Sequence, residues 1–252
     1  MTEAQIHLYT IVGLMACGLL AFLVLFFINA PYGRHYEGGW GPKIPSRVGW
    51  VLMELPSVAL FAVIFFKGEH ALELVPLIML GLWQWHYIHR TFIFPMRMRI
   101  KGKTMPMAVM VMAIVFNCVN SYINARWISE LGSYDVSWLS DPRFIIGVLV
   151  FFVGFGINFH SDSILINLRK PGETGYKIPH GGAYRVVSSP NYMGELLEWT
   201  GWAIATWSFA GVAFVVFTAC NLVPRAISNH RWYKEKFADY PADRRALVPF
   251  VF

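Results

Sequence analysis

Long, almost uncharged apolar runs recur along the whole chain, and no other feature constrains its fold so strongly. They cover roughly residues 6–29, 48–66, 72–94, 105–125, 144–159, 192–208 and 211–227. About 20 apolar residues is the length an α-helix needs to cross the hydrocarbon core of a bilayer. Only structures that satisfy their own backbone hydrogen bonds can span that core. Composition agrees, since 56% of the 252 residues are hydrophobic and only 14% are charged, against about 25% charged in a soluble domain. So few charges cannot cover a soluble globule of this size, which excludes an ordinary cytosolic enzyme, a fibrous protein and a disordered tail. The expected fold is an all-α integral membrane protein.

The last two runs form one apolar stretch too long for a single crossing, broken near Ser208 and Gly211. Charge decides how often it crosses. Of 21 Lys and Arg, 17 lie in the first, third and fifth connections and the C-terminal tail. Lys67, Arg126 and Arg143 lie in the second and fourth connections, and Arg90 lies within a run. Basic connections mark the cytoplasmic side, so the fifth connection and the tail share that side and two crossings separate them. The expected topology is seven transmembrane helices, N-terminus outside and C-terminus cytoplasmic. The run from Ile6 to Ile28 exceeds a signal-peptide core and reads as a retained first helix. With no internal repeat or linker, residues 1–252 read as one membrane-embedded domain.

A net charge of +6 could point to nucleic acid, but the basic residues sit between apolar runs rather than on one face, so no nucleic-acid partner is expected. Cys17, Cys118 and Cys220 each lie inside an apolar run and imply neither a disulfide framework nor a metal site. The pair His86 and His89, with His160 far along the chain, falls short of a metal-binding set, so no metal is expected.

An ionisable residue inside a span is costly and marks a functional site by default. Glu54 lies roughly 10 Å below the cytoplasmic end of the second run, counted from Arg47 at about 1.5 Å per residue. Tyr87, on the oppositely directed third run, lies roughly 12 Å from the same end, counted from Pro95. Two polar groups at one depth on antiparallel neighbours can meet, and Pro56 should bend the helix beside Glu54. A Glu54–Arg90 pair serving packing alone is the structural alternative. Asn117, Asn120 and Asn124 share a helix face and fit a polar cavity or interhelical hydrogen bonds equally. The densest polar stretch is 158–195. Its Arg and Lys suit phosphate, its Asp a ribose hydroxyl or amide, and its Tyr a ring. That mixture fits a phosphorylated nucleotide or lipid head groups. No G-x-G-x-x-G motif follows a strand, so a dinucleotide would bind without a Rossmann domain.

Several motifs carry a resemblance. Glu54-Leu-Pro-Ser57, His86-Tyr-Ile-His-Arg-Thr-Phe92, Gly156-Ile-Asn-Phe-His-Ser-Asp162, Leu168-Arg-Lys-Pro-Gly-Glu173, Tyr176-Lys-Ile-Pro179 and Pro190-Asn-Tyr-Met-Gly-Glu-Leu-Leu-Glu-Trp199 resemble the steroid 5α-reductase family. So does the ending from His230-Arg-Trp-Tyr233 through Tyr240-Pro to Ala246-Leu-Val-Pro249, and the ordered match runs from Pro31-Tyr32-Gly33 to the last residue. The resemblance implies NADPH-dependent reduction of the Δ4 double bond of a 3-oxo-Δ4-steroid. It places the catalytic role on Glu54 and Tyr87, which would hydrogen-bond the substrate ketone. Cofactor contacts carry over to Tyr32, Arg90, Lys103, Asn158, Asp162, Arg169, Tyr176, Asn191, Arg225, Asn229 and Tyr233. Arg169 and Lys103 are expected at phosphates, and Asp162 at a polar part of the dinucleotide. Trp50 and Met53, four and one residues before Glu54, are expected to face the steroid.

Met53 stands where many relatives carry Gln, Asn229 where relatives often have His, and Lys177 where some have Arg. The rival readings are a polyprenol or other enoyl-lipid reductase of the same superfamily, an S-adenosylmethionine-dependent membrane methyltransferase, and a seven-helix transporter or receptor. The expected partners are a 3-oxo-Δ4-steroid and membrane lipid, with no obligate protein partner. The expected location is an inner membrane in a bacterium or the endoplasmic reticulum membrane in a eukaryote.

Overall fold

The computed structural model describes residues 1–27, 40–100, 102–170, 173 and 175–251. Its principal elements are the helices α1 (Glu3–Phe27), α2 (Ser46–Phe65), α3 (Leu74–Ile88), α4 (Phe94–Arg97), α5 (Met107–Arg126), α6 (Pro142–Asn167), α7 (Pro190–Thr206) and α8 (Phe209–Lys236). Five of these, α1, α2, α5, α6 and α8, are long and apolar enough to cross a membrane.

The strands β1 (Lys43–Pro45) and β2 (Thr104–Pro106) pair antiparallel with Ile44 opposite Met105. Each ends in proline, which has no amide to extend a ladder but suits a helix entry. Pro45 leads into α2 and Pro106 into α5. The ribbon therefore starts both helices near one level, and contacts further along show that they run in one direction. Met53 and Pro56 of α2 meet Asn117 and Ser121 of α5, in the same order.

Helical backbone continues past Ile88, because a π turn (His89–Ile93) carries α3 directly into α4. Arg47 of α2 closes that end. Its Nε donates to the Pro95 carbonyl at 3.0 Å and its Nη2 to the Met98 carbonyl at 3.3 Å, a favourable place for a cation.

Helices α6 and α7 approach closely through glycine. A methyl group at Gly154 would collide with the backbone of Glu198, one at Gly194 with that of Asn158, and one at Gly201 with that of Phe151. At the other end of α7, Trp207 adopts a left-handed conformation with φ 45°. Ser208 then caps α8, its hydroxyl accepting from the Gly211 amide at 2.9 Å. The break in the last apolar stretch thus falls between α7 and α8, as the sequence places it.

The buried centre is aromatic. The Trp83 ring lies 4.3 Å from Phe61, 4.8 Å from Tyr87, 5.2 Å from Trp202 and 5.7 Å from both Trp199 and Phe214, centroid to centroid. Its indole N–H donates to the Ser57 carbonyl at 2.8 Å, as a buried Trp requires. Leu19, Leu20 and Leu23 of α1 and Leu149 and Val153 of α6 point outward and are more than half exposed, as suits a lipid-facing surface.

Two boundaries differ from the hydropathy reading. α6 extends to Asn167 instead of ending near 159, and α8 to Lys236 instead of 227. Hydropathy marks where a helix leaves the apolar layer, whereas hydrogen bonding continues beyond it. The Asn167 side-chain amide donates to the Ser163 carbonyl at 2.9 Å in that extension. Asn158 and Asp162 therefore sit on a helix, and not in a loop.

Candidate active site

Glu54 lies eight residues into α2, and Asn117 ten residues into α5, about 12 and 15 Å from the helix starts. The Asn117 side-chain amide donates to the Met53 carbonyl at 2.6 Å and lies 3.4 Å from Oε2 of Glu54. Pro56 lies within the same stretch of α2 and removes one helix hydrogen bond there.

From α3, the Tyr87 ring is 3% exposed and stacks on Trp199 with centroids 5.6 Å apart. Its hydroxyl lies beside Ser57 and within electrostatic reach of Glu54. The two residues that the sequence places at one depth are thus brought together across α2 and α3.

Arg90 sits in the π turn, a helix irregularity often found at functional sites. Its guanidinium lies over the rings of Trp50 and Phe94, at 4.8 and 4.7 Å. Its carbonyl accepts from the Trp50 indole N–H at 3.0 Å. It forms ion pairs with Asp162 at 3.6 Å and Glu195 at 3.8 Å, and acts electrostatically on Glu54 as well. Among the described residues, Glu54 has no ion pair within 4.0 Å, so Arg90 does not hold it in a simple packing pair.

The close α6–α7 contact assembles the opposite wall. The Asn158 side-chain amide donates to the Asn191 carbonyl at 3.0 Å, and that of Asn191 to Oδ1 of Asp162 at 3.1 Å. Arg90, Asp162, Asn191 and Asn158 thus form one connected polar group with Trp50 on Arg90, and Glu54 and Tyr87 lie within electrostatic reach of it.

The remaining expected contacts lie further toward the basic side. Arg225, Asn229 and Tyr233 recur every fourth residue on α8 and share a face. Arg225 Nη2 donates to Oδ1 of Asn221 at 3.3 Å. The Tyr176 ring meets Trp232 edge to face at 4.9 Å, and Trp232 meets Tyr233 at 5.2 Å. Arg169 donates to the Gly175 carbonyl at 3.0 Å. Nearby, the Lys177 ammonium donates to Glu173 at 2.6 Å and holds that carboxyl below the usual carboxylate range. Lys103 lines a recess of about 270 Å³ with Pro45, Ser46, Arg47 and Thr104, away from the Glu54–Tyr87 wall. Met53 is 9% exposed and packs against Met105 and Met110. Tyr32 lies outside the described residues.

Two residues of the wall receive no role from the sequence, Glu195 and Glu198, and a third, Asn117, reads only as part of a polar helix face. Glu195 shares Arg90 with Asp162. Glu198 is fully buried and pairs with Nδ1 of His86 at 2.8 Å. Asn117 is 4% exposed beside Glu54. Two carboxylates three residues apart in an apolar run would have flagged Glu195 and Glu198.

A family model described as 3-oxo-5-alpha-steroid 4-dehydrogenase matches residues 103–252. The chain is 40% identical over 249 residues to a steroid 5-alpha-reductase of Gossypium hirsutum, covering 97% of this chain and 96% of that one. It is 42% identical to 3-oxo-5-alpha-steroid 4-dehydrogenase 1 of Bos taurus, covering 94% and 93%. It is 45% identical to 3-oxo-5-alpha-steroid 4-dehydrogenase 1 of Homo sapiens, covering 89% and 87%.

Proposed function

The chain belongs to the 3-oxo-5-alpha-steroid 4-dehydrogenase family, the steroid 5α-reductases, and from that premise we propose that it reduces the Δ4 double bond of a 3-oxo-Δ4-steroid with NADPH. It is an oxidoreductase acting on a CH–CH group. The observation that carries the reading is that Glu54 and Tyr87, on neighbouring helices of the bundle, lie within electrostatic reach of each other.

The donor set suits a phosphorylated dinucleotide. Arg90 reaches its carboxylates only at 3.6 and 3.8 Å, longer than a closed hydrogen bond, so its planar fork keeps donors for a ligand. Asn158, Asp162 and Asn191 supply amide and carboxyl groups for ribose or carboxamide. Arg169, Lys103 and Arg225 supply cations for phosphates, and Tyr176, Asn229 and Tyr233 supply ring and polar contacts at the tail. Tyr32 belongs to the same set by its motif.

When bound, NADPH supplies a hydride to the distal alkene carbon of the enone. Glu54, in its protonated form, and the Tyr87 hydroxyl donate to the ketone oxygen. Both hydrogen bonds strengthen as negative charge gathers there in the enolate, which is how oriented donors accelerate a reaction. The adjacent carbon then takes up a proton, completing addition of two hydrogens. Trp50 and Met53 present apolar surface to the sterol, and the buried aromatic centre excludes water.

The same proposal includes seven crossings with the N-terminus outside and the C-terminus cytoplasmic, as a single domain. It places the enzyme in an inner membrane in a bacterium or the endoplasmic reticulum membrane in a eukaryote.

The deciding experiment follows NADPH oxidation by the purified protein in detergent, with and without testosterone or progesterone, with mass analysis of the product. The expected result is steroid-dependent oxidation and a product heavier by two hydrogens. Protein that binds NADPH but oxidises it only with another enoyl lipid would overturn the steroid assignment, and protein that binds none would overturn the reductase reading.

A further inference from the structure

We propose that Asn117 is a positioning residue that fixes which oxygen of the Glu54 carboxyl carries the proton. The proposal deepens the reading above and rests on Glu54 as donor to the substrate ketone.

Amide side chains are often ambiguous, because nitrogen and oxygen look alike. Here the ambiguity is removed by a backbone group. One end of the Asn117 amide lies 2.6 Å from the Met53 carbonyl, which can only accept, so that end is the nitrogen. The same nitrogen lies 3.4 Å from Oε2 of Glu54. An NH₂ group has two hydrogens. With one committed to Met53, the other points to Oε2, which must then accept. A protonated carboxyl has one accepting and one donating oxygen, so its proton is left on Oε1, free to be given to a ketone.

The arrangement is anchored on both sides. The Met53 carbonyl belongs to the α2 stretch that contains Pro56, and the β1–β2 ribbon fixes the register of α5 against α2. Asn117 is 4% exposed, so its amide is held in place by its packing. The charged groups that act on Glu54 from neighbouring elements are Arg90 of the π turn and Glu195 of α7. Both lie among the groups of the opposite wall, whereas Asn117 approaches from α5. It therefore sets orientation without adding charge.

The test compares Asn117→Leu and Asn117→Asp in the full chain with wild type, over the pH range in which two carboxyl groups share a proton. Turnover number, KM for the steroid and NADPH affinity by fluorescence are read separately. Asn117→Leu should lower kcat roughly 10- to 100-fold at every pH, the scale seen when a partner that orients a reacting group is removed, with NADPH affinity unchanged. Asn117→Asp should show a similar loss at high pH and recover as pH falls, because a protonated Asp again donates to Oε2. Wild type should recover less over the same range, because only Glu54 titrates there and its Asn117 partner donates at every pH. A residue that only packs predicts a near-neutral isosteric Asp variant. Turnover in both variants within about threefold of wild type at all pH, under 1 kcal/mol of barrier, overturns the proposal. Loss of NADPH binding in both variants also overturns it, since Asn117 would then be a packing residue. If wild type itself consumes no NADPH with steroid, the parent reading falls and this one with it.

Discussion

Glu54 stands apart from the other carboxyl groups around it. Asp162 and Glu195 share the Arg90 guanidinium and Glu198 has His86, while among the described residues Glu54 has only the Asn117 amide within hydrogen-bond reach. A half-buried carboxyl inside a span, without a cation at contact distance, is poorly explained by packing and well explained by a ligand. Glu54→Gln and Tyr87→Phe are therefore expected to lower turnover roughly 10²- to 10³-fold, the scale for losing one donor to a developing oxyanion. NADPH affinity should stay near wild type, because neither residue belongs to the Arg90–Asp162–Asn191 group. Steady-state kinetics beside a fluorescence titration separates the two quantities, and wild-type turnover in either variant would remove that residue from the chemistry. At this scale the sequence was legible where a polar residue interrupted an apolar run, as at Glu54. It was less legible at Glu195 and Glu198, which open an apolar run where the polar 158–195 stretch ends. Asn117 was legible as part of a polar helix face with Asn120 and Asn124 but not as the partner of Glu54, because its role depends on which neighbour its amide meets.

Among the elements, the α6–α7 pair sets the opposite wall. Asn158 and Asp162 meet Asn191 and Glu195 only because Gly154 and Gly194 let two backbones approach to within the space of a methyl group. Small residues at such contacts are the usual means of tight helix packing in membranes, where apolar burial offers little net drive. Gly154→Ala is expected to destabilise the protein by about 1–3 kcal/mol through overpacking and to weaken NADPH binding, because Asn158 lies one turn further on. Gly156→Ala, two residues away, meets nothing within 4 Å and should be neutral or stabilising by up to about 1 kcal/mol. Thermal inactivation of both variants in detergent provides the comparison, and equal behaviour would remove the close contact from the explanation. The positions of the elements were readable from hydropathy, but their ends were not. α6 and α8 run past the apolar layer, and the π turn at His89–Ile93 leaves no hydrophobic signature. It arises where the helix must admit Pro95, which has no amide, and it sets Arg90 beside Trp50.

At the scale of the whole molecule, length and hydropathy qualify five helices among the described residues as spans. The proposed crossings between α2 and α5 and between α6 and α8 need a different argument. α3 spans only 15 residues before its π turn, but the backbone stays helical to Arg97. α7 has 17 residues, about 26 Å at 1.5 Å per residue, a little short of a typical hydrocarbon core of about 30 Å. Its far end is bounded by aromatic groups suited to an interface. The Trp138 indole N–H donates to the Ala205 carbonyl at 2.9 Å, the Tyr134 hydroxyl to the Thr206 carbonyl at 2.6 Å, and Trp207 is 60% exposed. The Trp207–Ser208 turn and the 132–141 connection therefore lie at one end of the bundle, opposite the basic Arg97–Lys103 segment. In a variant lacking Cys17, Cys118 and Cys220, single cysteines at Ser137, Lys177 and Asp239, all exposed, distinguish the topologies. In vesicles sealed with the cytoplasmic face inside, a membrane-impermeant maleimide should label Ser137→Cys at once. It should reach Lys177→Cys and Asp239→Cys only after permeabilisation. Labelling of Asp239→Cys from outside, with Lys177→Cys still protected, would mean that α7 and α8 together cross only once, and seven crossings would be wrong. Labelling of Lys177→Cys and Asp239→Cys without Ser137→Cys would invert the orientation and put the proposed NADPH contacts on the side away from the cytoplasmic nucleotide pool.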